Sequence, residues 1–292
     1  MIRSASALSA LLLLGACAPA GPVAEIEAAG PAPAAQARPA AFQAVLAAPH
    51  RTAEQRARDA HRHPAESLAF WGLRPGMTVL EIGPGEGWWT EILAPYAAQT
   101  GGRYIMALAD TANPATSANA RAAADTFEGR YRANPTLYGQ FGRTGFGRAS
   151  GPLAPPGSVD MILVARAFHN WARQPGYTDK AMTDFAAALK PGGVLAVEQH
   201  RAPEGADPTA GTGYVPESYV IEAARRAGLV LDARSEINAN PKDTRDHPFG
   251  VWTLPPIRRA AQDGRTLTAE ERARFDAIGE SDRMTLRFRK PA

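Results

Sequence analysis

The 292-residue chain holds one cysteine, at position 17, so neither an internal disulfide nor a cysteine-based zinc site can form. It carries little net charge, +3, and its basic residues are scattered. That excludes the concentrated basic footprint of a nucleic-acid binder. Histidine is scarce, six in all, and no two stand at the helical spacing of an H-E-x-x-H site. No resident metal is therefore expected. No apolar run reaches the length of about 20 residues that a membrane helix needs, and no internal repeat is found. What is present, 45% hydrophobic and 21% charged residues, is the balance of a globular chain long enough for one large domain or two small ones.

The first apolar run is short and has its own grammar. Arg3 precedes an almost wholly apolar stretch from Ala5, which closes on Leu14-Gly15-Ala16-Cys17. A basic start, a short apolar core and small residues at the end make residues 1–16 a secretory signal peptide. The ending resembles the lipobox of bacterial lipoproteins, in which the cysteine is lipidated and becomes the first mature residue. That resemblance implies an exported protein held in the cell envelope by a lipid on Cys17. Ala18 resembles the outer-membrane sorting pattern, which would leave the protein facing the periplasm. An ordinary signal peptide with a stray cysteine is the alternative. Residues 17–48 are rich in Ala and Pro with few large side chains, so they cannot bury enough surface to offset their ordering entropy. They are expected to be a flexible tether, leaving 49–292 as the folded domain.

Residues 77–90 carry the strongest local signal. A short apolar strand, 78–82, contains one acid, Glu81, and runs into Gly83-Pro84-Gly85-Glu86-Gly87 before an apolar helix. Glycine without a Cβ allows a positive φ and lets a ligand reach the backbone. A helix N-terminus offers free N–H groups and partial positive charge. The loop is thus suited to a small anionic ligand at the top of a parallel sheet. The spacing is not the G-x-G-x-x-G of a dinucleotide site. The third glycine comes one residue early, and Trp88 fills the place that fingerprint reserves for glycine, so NAD is a poor second reading.

Helices are expected near 52–61, from Pro64 through Trp71, after the glycine loop until Pro95 limits it, over 118–132, around Met182 to Leu189, and over 217–227. Strands are expected at 103–108, weakly at 137–141, at 159–165, 194–198 and 229–235, and, half exposed, at 284–288. Strands alternating with helices predict a doubly wound α/β fold, a mostly parallel sheet covered on both faces.

Taken together, Glu81 to Gly87, Ser158-Val159-Asp160-Met161-Ile162-Leu163 and Leu189-Lys190-Pro191-Gly192-Gly193 resemble, in this order, motifs of the class I S-adenosylmethionine-dependent methyltransferases. The likeness covers about residues 64–289. It implies a Rossmann-like sheet of seven strands and a methyltransferase acting on an unknown small molecule or envelope component. Phe168-His169-Asn170-Trp171, the stretch 247–255 and Ala277-Ile278-Gly279-Glu280-Ser281-Asp282-Arg283 resemble an exported branch of this superfamily.

The resemblance implies S-adenosyl-L-methionine as cofactor, with Gly83, Pro84, Gly85 and Gly87 passing its methionine end and Glu81 orienting its ammonium. A structural acid capping the loop is the other reading of Glu81. The family's ribose-binding acid should fall near Leu108, where this chain has Ala107-Leu108-Ala109. Asp110 is the candidate for that role, or else it caps the following segment. His169 and Asn170 follow the fourth strand, at the expected mouth of the site, as base or substrate contact. Trp71, Trp88, Trp89 and Trp171 are core or pocket residues. Arg56, Arg58, Arg62, His61 and His63 form a basic group whose ordinary reading is a solvated helix face, with an acidic substrate or lipid headgroup site as the alternative. The competing function is a lipoprotein that binds a small ligand on the same scaffold without chemistry.

Overall fold

The computed structural model describes residues 40–292, all within one compact unit, Ala35–Ala292. The signal peptide, Cys17 and most of the expected tether lie outside the described residues. The chain opens with α1 (Ala40–Ala47), α2 (Ala53–Ala57), α3 (Asp59–Arg62) and α4 (Pro64–Trp71). It continues through β1 (Thr78–Ile82), α5 (Thr90–Gln99), β2 (Arg103–Ala109), α6 (Ala118–Arg132), α7 (Pro135–Tyr138), β3 (Gly142–Phe146) and β4 (Val159–Ala165). Next come α8 (His169–Ala172), α9 (Tyr177–Ala188), β5 (Leu189–Ala202), β6 (Val215–Pro216), α10 (Glu217–Arg226) and β7 (Val230–Ser235). The last elements are β8 (Pro248–Val251), β9 (Ala261–Gln262), β10 (Arg265–Thr266), α11 (Ala269–Ile278) and β11 (Arg283–Arg289).

Seven strands run in the order β3-β2-β1-β4-β5-β11-β7, and β6 adds a short pairing to β5. The first five are mutually parallel, and β11 enters antiparallel between β5 and β7. Alternation along the strands builds both faces. Leu80, Ile82, Ile162 and Val164 pack into one core with α9 and α10. Val79, Met161 and Leu163 pack into the other with α1, α4, α5 and α6. A strand apolar on both faces is what a sheet covered on both sides requires. Ile82 lies beside Ala107 of β2 and Val164 of β4, so the loops after β1, β2 and β4 leave from one edge. Strand order reverses between β1 and β4, and the crevice at that reversal is where an α/β sheet takes ligands.

Four expectations are revised. Residues 40–47, assigned to the tether, form α1 and bury Phe42 and Val45, with the Phe42 ring edge-on to Tyr96 of α5. Two large apolar side chains are enough to dock a short helix that composition alone left loose. Pro95 does not limit α5, which continues to Gln99. The N–H missing at Pro95 frees the carbonyl of Glu91 one turn back, and His50 Nε2 donates to that oxygen at 2.8 Å. The strand expected at 137–141 begins later, at Gly142, because Asn134 caps the helical turn α7 and Gly139 ends it. Finally, 284–288 is not half exposed, since β11 is flanked by strands on both sides and largely buried.

Candidate functional site

At the C-terminal edge of the sheet a cavity of about 360 Å³ opens between the glycine loop, the turn after β4, the end of β5 and the segment after β8. Gly83, Pro84 and Gly85 form one wall, and Arg166, His169 and Asn170 form another. Trp252 and the Pro255-Pro256-Ile257 turn form part of a third. A larger cavity, about 480 Å³, lies beside Leu73 and the Lys190-Pro191-Gly192-Gly193 turn, toward the opposite ends of the strands. Of the residues singled out from the sequence as possible pocket residues it is lined by Trp71, and by none of those assigned to cofactor or catalysis.

The three glycines of the loop do different work. All have positive φ, 57° at Gly83, 61° at Gly85 and 90° at Gly87. A Cβ on Gly85 would enter open space, so its backbone faces the cavity unscreened. A Cβ on Gly87 would stand 2.0 Å from the Tyr131 hydroxyl and 3.3 Å from the Phe127 ring. Gly87 therefore lets α6 close over the loop, and it does not line the cavity.

Glu81 is buried behind the loop, 2% exposed. Tyr104 donates to its Oε2 at 2.6 Å and Thr90, the first residue of α5, donates to the same oxygen at 2.8 Å. Burial pushes its carboxyl up to about 7, against those two hydrogen bonds and the charge of Arg166. The acid thus ties β1, β2 and the start of α5 together. Asp110 lies elsewhere. Its Oδ1 accepts the Ala112 N–H at 3.1 Å in a local turn. Its side chain lies where a Cβ on Gly145 of β3 would stand at 2.8 Å, and it does not line the cavity.

His169 is 7% exposed, and the side chain of Gln199 positions it. Gln199 Oε1 accepts the Phe168 N–H at 3.1 Å and Nε2 donates to the Gly213 carbonyl at 2.9 Å, which fixes the amide's orientation. Nε2 then faces His169 Nδ1 at 3.3 Å as a donor. The neutral ring accordingly carries its proton on Nε2. Burial, reinforced by the Arg173 charge, lowers this histidine to about 4, so at neutral pH it offers an N–H and no basic nitrogen to the cavity. His200, also in the wall, has Nδ1 at 2.6 Å from Ser281 Oγ. Burial, and then its neighbour His169, pulls it well below the ordinary range. Asn170 is exposed at the rim and accepts from Arg173 at 3.3 Å.

Of the four tryptophans considered, only Trp88 lines the cavity. It donates to the Gln55 carbonyl at 2.9 Å, and Arg62 lies over its ring at 4.8 Å. Trp71 and Trp89 are core, and Trp171 packs against Phe146 and Phe185. Sequence reasoning missed Arg166, Glu280 and Trp252 as lining residues. The ordinary reading of Arg62, a solvated helix face, does not hold, since Arg62 is 1% exposed and lines the cavity; the alternative, an acidic-ligand site, stays open. The signal that could have found Glu280 is its place in the 277–283 stretch, which resembles an exported branch of the superfamily.

A glycine loop at the strand-order reversal, with one acid beneath it and histidines across from it, puts this cavity where α/β sheets take their ligands. The chain belongs to a methyltransferase-domain family, whose sequence model matches residues 52–233. No curated protein matches it. Among solved structures it is similar to a protein assigned as a sarcosine dimethylglycine methyltransferase from Galdieria sulphuraria. That pair shares 17% identity over 82% of this chain and 88% of the other, with a TM-score of 0.53. It is also similar to the [4+2]-cyclase SpnF, at 17% identity over 80% and 81%, TM-score 0.51. Both likenesses concern the fold alone, and the cyclase shows that this fold does not by itself dictate one reaction.

Proposed function

We propose that the protein is an S-adenosylmethionine-dependent methyltransferase for a small molecule or cell-envelope component. The observation that carries this reading is the unscreened backbone at Gly83 and Gly85, which faces the same cavity as His169. When bound, the cofactor supplies a methyl group on a sulfonium for in-line displacement. The residues present suit its amino-acid half. The loop lets that half approach the main chain, and Glu81, which lies beneath the loop and outside the cavity lining, steadies it through the two hydroxyls on its Oε2. His169 Nε2–H orients the acceptor, and the segment around Trp252, edge-on to His169, screens the cavity from water. We further read Cys17 as lipidated and the protein as exported and anchored in the envelope. The lipobox-like ending and the 247–255 and 277–283 stretches support that branch of the superfamily.

Calorimetric titration of the protein with S-adenosylmethionine and S-adenosylhomocysteine tests the cofactor. Affinity near physiological concentrations is expected, and silence at millimolar ligand contradicts it. A second reading, a binding protein without chemistry, is favoured by Asp110, which is engaged in its own turn rather than offered to a ribose. Binding of both ligands with no methyl transfer to any envelope extract would select that reading. An acyl mass on the native N-terminal peptide is expected in mass spectrometry. A free cleaved terminus would remove the anchor.

A further inference from the structure

One wall of the cavity holds more positive charge than its neighbours balance. Arg58, Arg62, Arg166 and Arg283 converge on two carboxylates, Glu198 and Glu280. Glu280 takes Arg58 at 3.0 Å, Arg62 at 2.9 Å and Arg283 at 2.9 Å, and reaches Arg166 only at 3.8 Å. Glu198 takes Arg283 at 2.8 Å. Two positive charges remain in excess. The other titratable groups nearby do not remove them. His169 and His200 are held neutral, Glu81 is pushed up to about 7, and Glu86 is 85% exposed and 4.0 Å from Arg58.

The excess has an address. Arg62 Nη1 and Arg166 Nη1 are buried and have no hydrogen-bond partner among the described residues. Both residues line the cavity. A buried guanidinium nitrogen without a partner is costly, and natural interiors satisfy such groups. Arg166 also sits at φ 54°, a left-handed conformation unusual for a residue with a side chain. Its N–H bonds the Glu198 carbonyl at 2.7 Å, so the turn after β4 is fixed in that shape. Burial, and then the Arg166 charge, pulls Arg62 well below its ordinary value. An arginine does not give up its proton in a protein, so this is electrostatic stress that an anion would relieve.

We propose that Arg62 and Arg166 form a binding site for one carboxylate or phosphate group of the small molecule held in this cavity. Guanidinium forks match the planar oxygens of such groups and bind them with charge-assisted hydrogen bonds. The site rests on the cavity being the functional one, as in the methyltransferase reading, but anion capture does not require that reaction. Two sources share the chemistry: the amino-acid carboxylate of the cofactor, and an acid group on the methyl acceptor.

The test uses the full chain and its Arg166→Gln and Arg62→Lys variants, first shown folded by thermal melting. Inorganic phosphate, at ionic strength matched with chloride, is expected to raise the melting temperature of the parent protein. The rise should be lost in Arg166→Gln and reduced in Arg62→Lys. S-adenosylhomocysteine and 5′-methylthioadenosine, which lacks the amino-acid end, are then titrated into parent and Arg166→Gln. A loss of about tenfold or more for the first, with none for the second, assigns the anion to the cofactor. Unchanged affinity for both, with phosphate still protecting only the parent, assigns it to the acceptor. Phosphate protection without nucleoside binding would keep the anion site and end the methyltransferase reading. Phosphate that protects parent and variant alike, or neither, overturns the proposal.

Discussion

Glu81 is a carboxyl whose folded state favours the proton. Its value rises from an ordinary 4.5 to about 7 on burial. Between those values the folded protein binds a proton that the unfolded chain has released. Its contribution to stability is therefore full below about pH 4.5 and is lost as pH rises through about 7. The size is on the order of 3 kcal/mol for a shift of this extent. Denaturant melts of the parent and Glu81→Gln from pH 4.5 to 7.5 check this. The parent is expected to lose stability relative to the variant across that window, and a constant difference contradicts the account. The loop glycines separate in the same way. Gly87→Ala drives a methyl into the Tyr131 hydroxyl and is expected to cost several kcal/mol, on the order of an overpacked core site. Tyr131→Phe in the same chain should recover part of that loss. Melting temperatures of the single and double variants decide it.

The residues legible in the sequence were those whose role follows from local chain geometry. Gly83, Gly85 and His169 were placed at the cavity because a strand–glycine–helix junction and a loop after a strand lie at a fixed edge of a parallel sheet. Arg62 and Glu280 are 218 positions apart and meet only through the fold. Nothing at residue spacing tells a buried arginine from a solvated one. Asp110 had two readings, and the structure places it in the local turn.

At the scale of elements, periodicity located β1, β4 and α6 at the observed bounds, since each has a clear pattern and clear stops. It failed where a distant partner decides. Pro95 stays inside α5 because His50, 41 positions before Glu91, satisfies the Glu91 carbonyl that the proline frees. His50→Ala is expected to destabilise the fold by about 1 kcal/mol, the worth of one hydrogen bond with a buried acceptor. Denaturant melts measure this, and an unchanged midpoint would mean that water replaces the imidazole without loss. The glycines of β3 form a strand because β2 crowds it: a Cβ on Gly142 would meet Ile105 at 3.2 Å. Glycine content read along the chain suggested a loop.

The whole domain begins earlier than composition indicated. Phe42 and Val45 are 5% and 0% exposed, and burying two such side chains stabilises by roughly 3–6 kcal/mol. A chain that begins at residue 49 is therefore expected to melt well below one that begins at residue 40. Equal melting temperatures would show that α1 is dispensable. The sheet order and both cores place the C-terminal edge of β1, β4 and β5 around a single cavity, and among the described residues no helix is long and apolar enough to cross a membrane.

The central claim is that main chain at Gly83 and Gly85 touches the ligand. It is tested most directly by titrating S-adenosylhomocysteine into the parent protein and Gly85→Asn, with circular dichroism confirming that the variant is folded. A side chain at residue 85 meets open space, and asparagine is among the residues best suited to the φ of 61° there, so the variant is expected to fold and to bind at least about tenfold more weakly. Equal affinity in the two proteins, or no binding to the parent at millimolar ligand, would contradict the account.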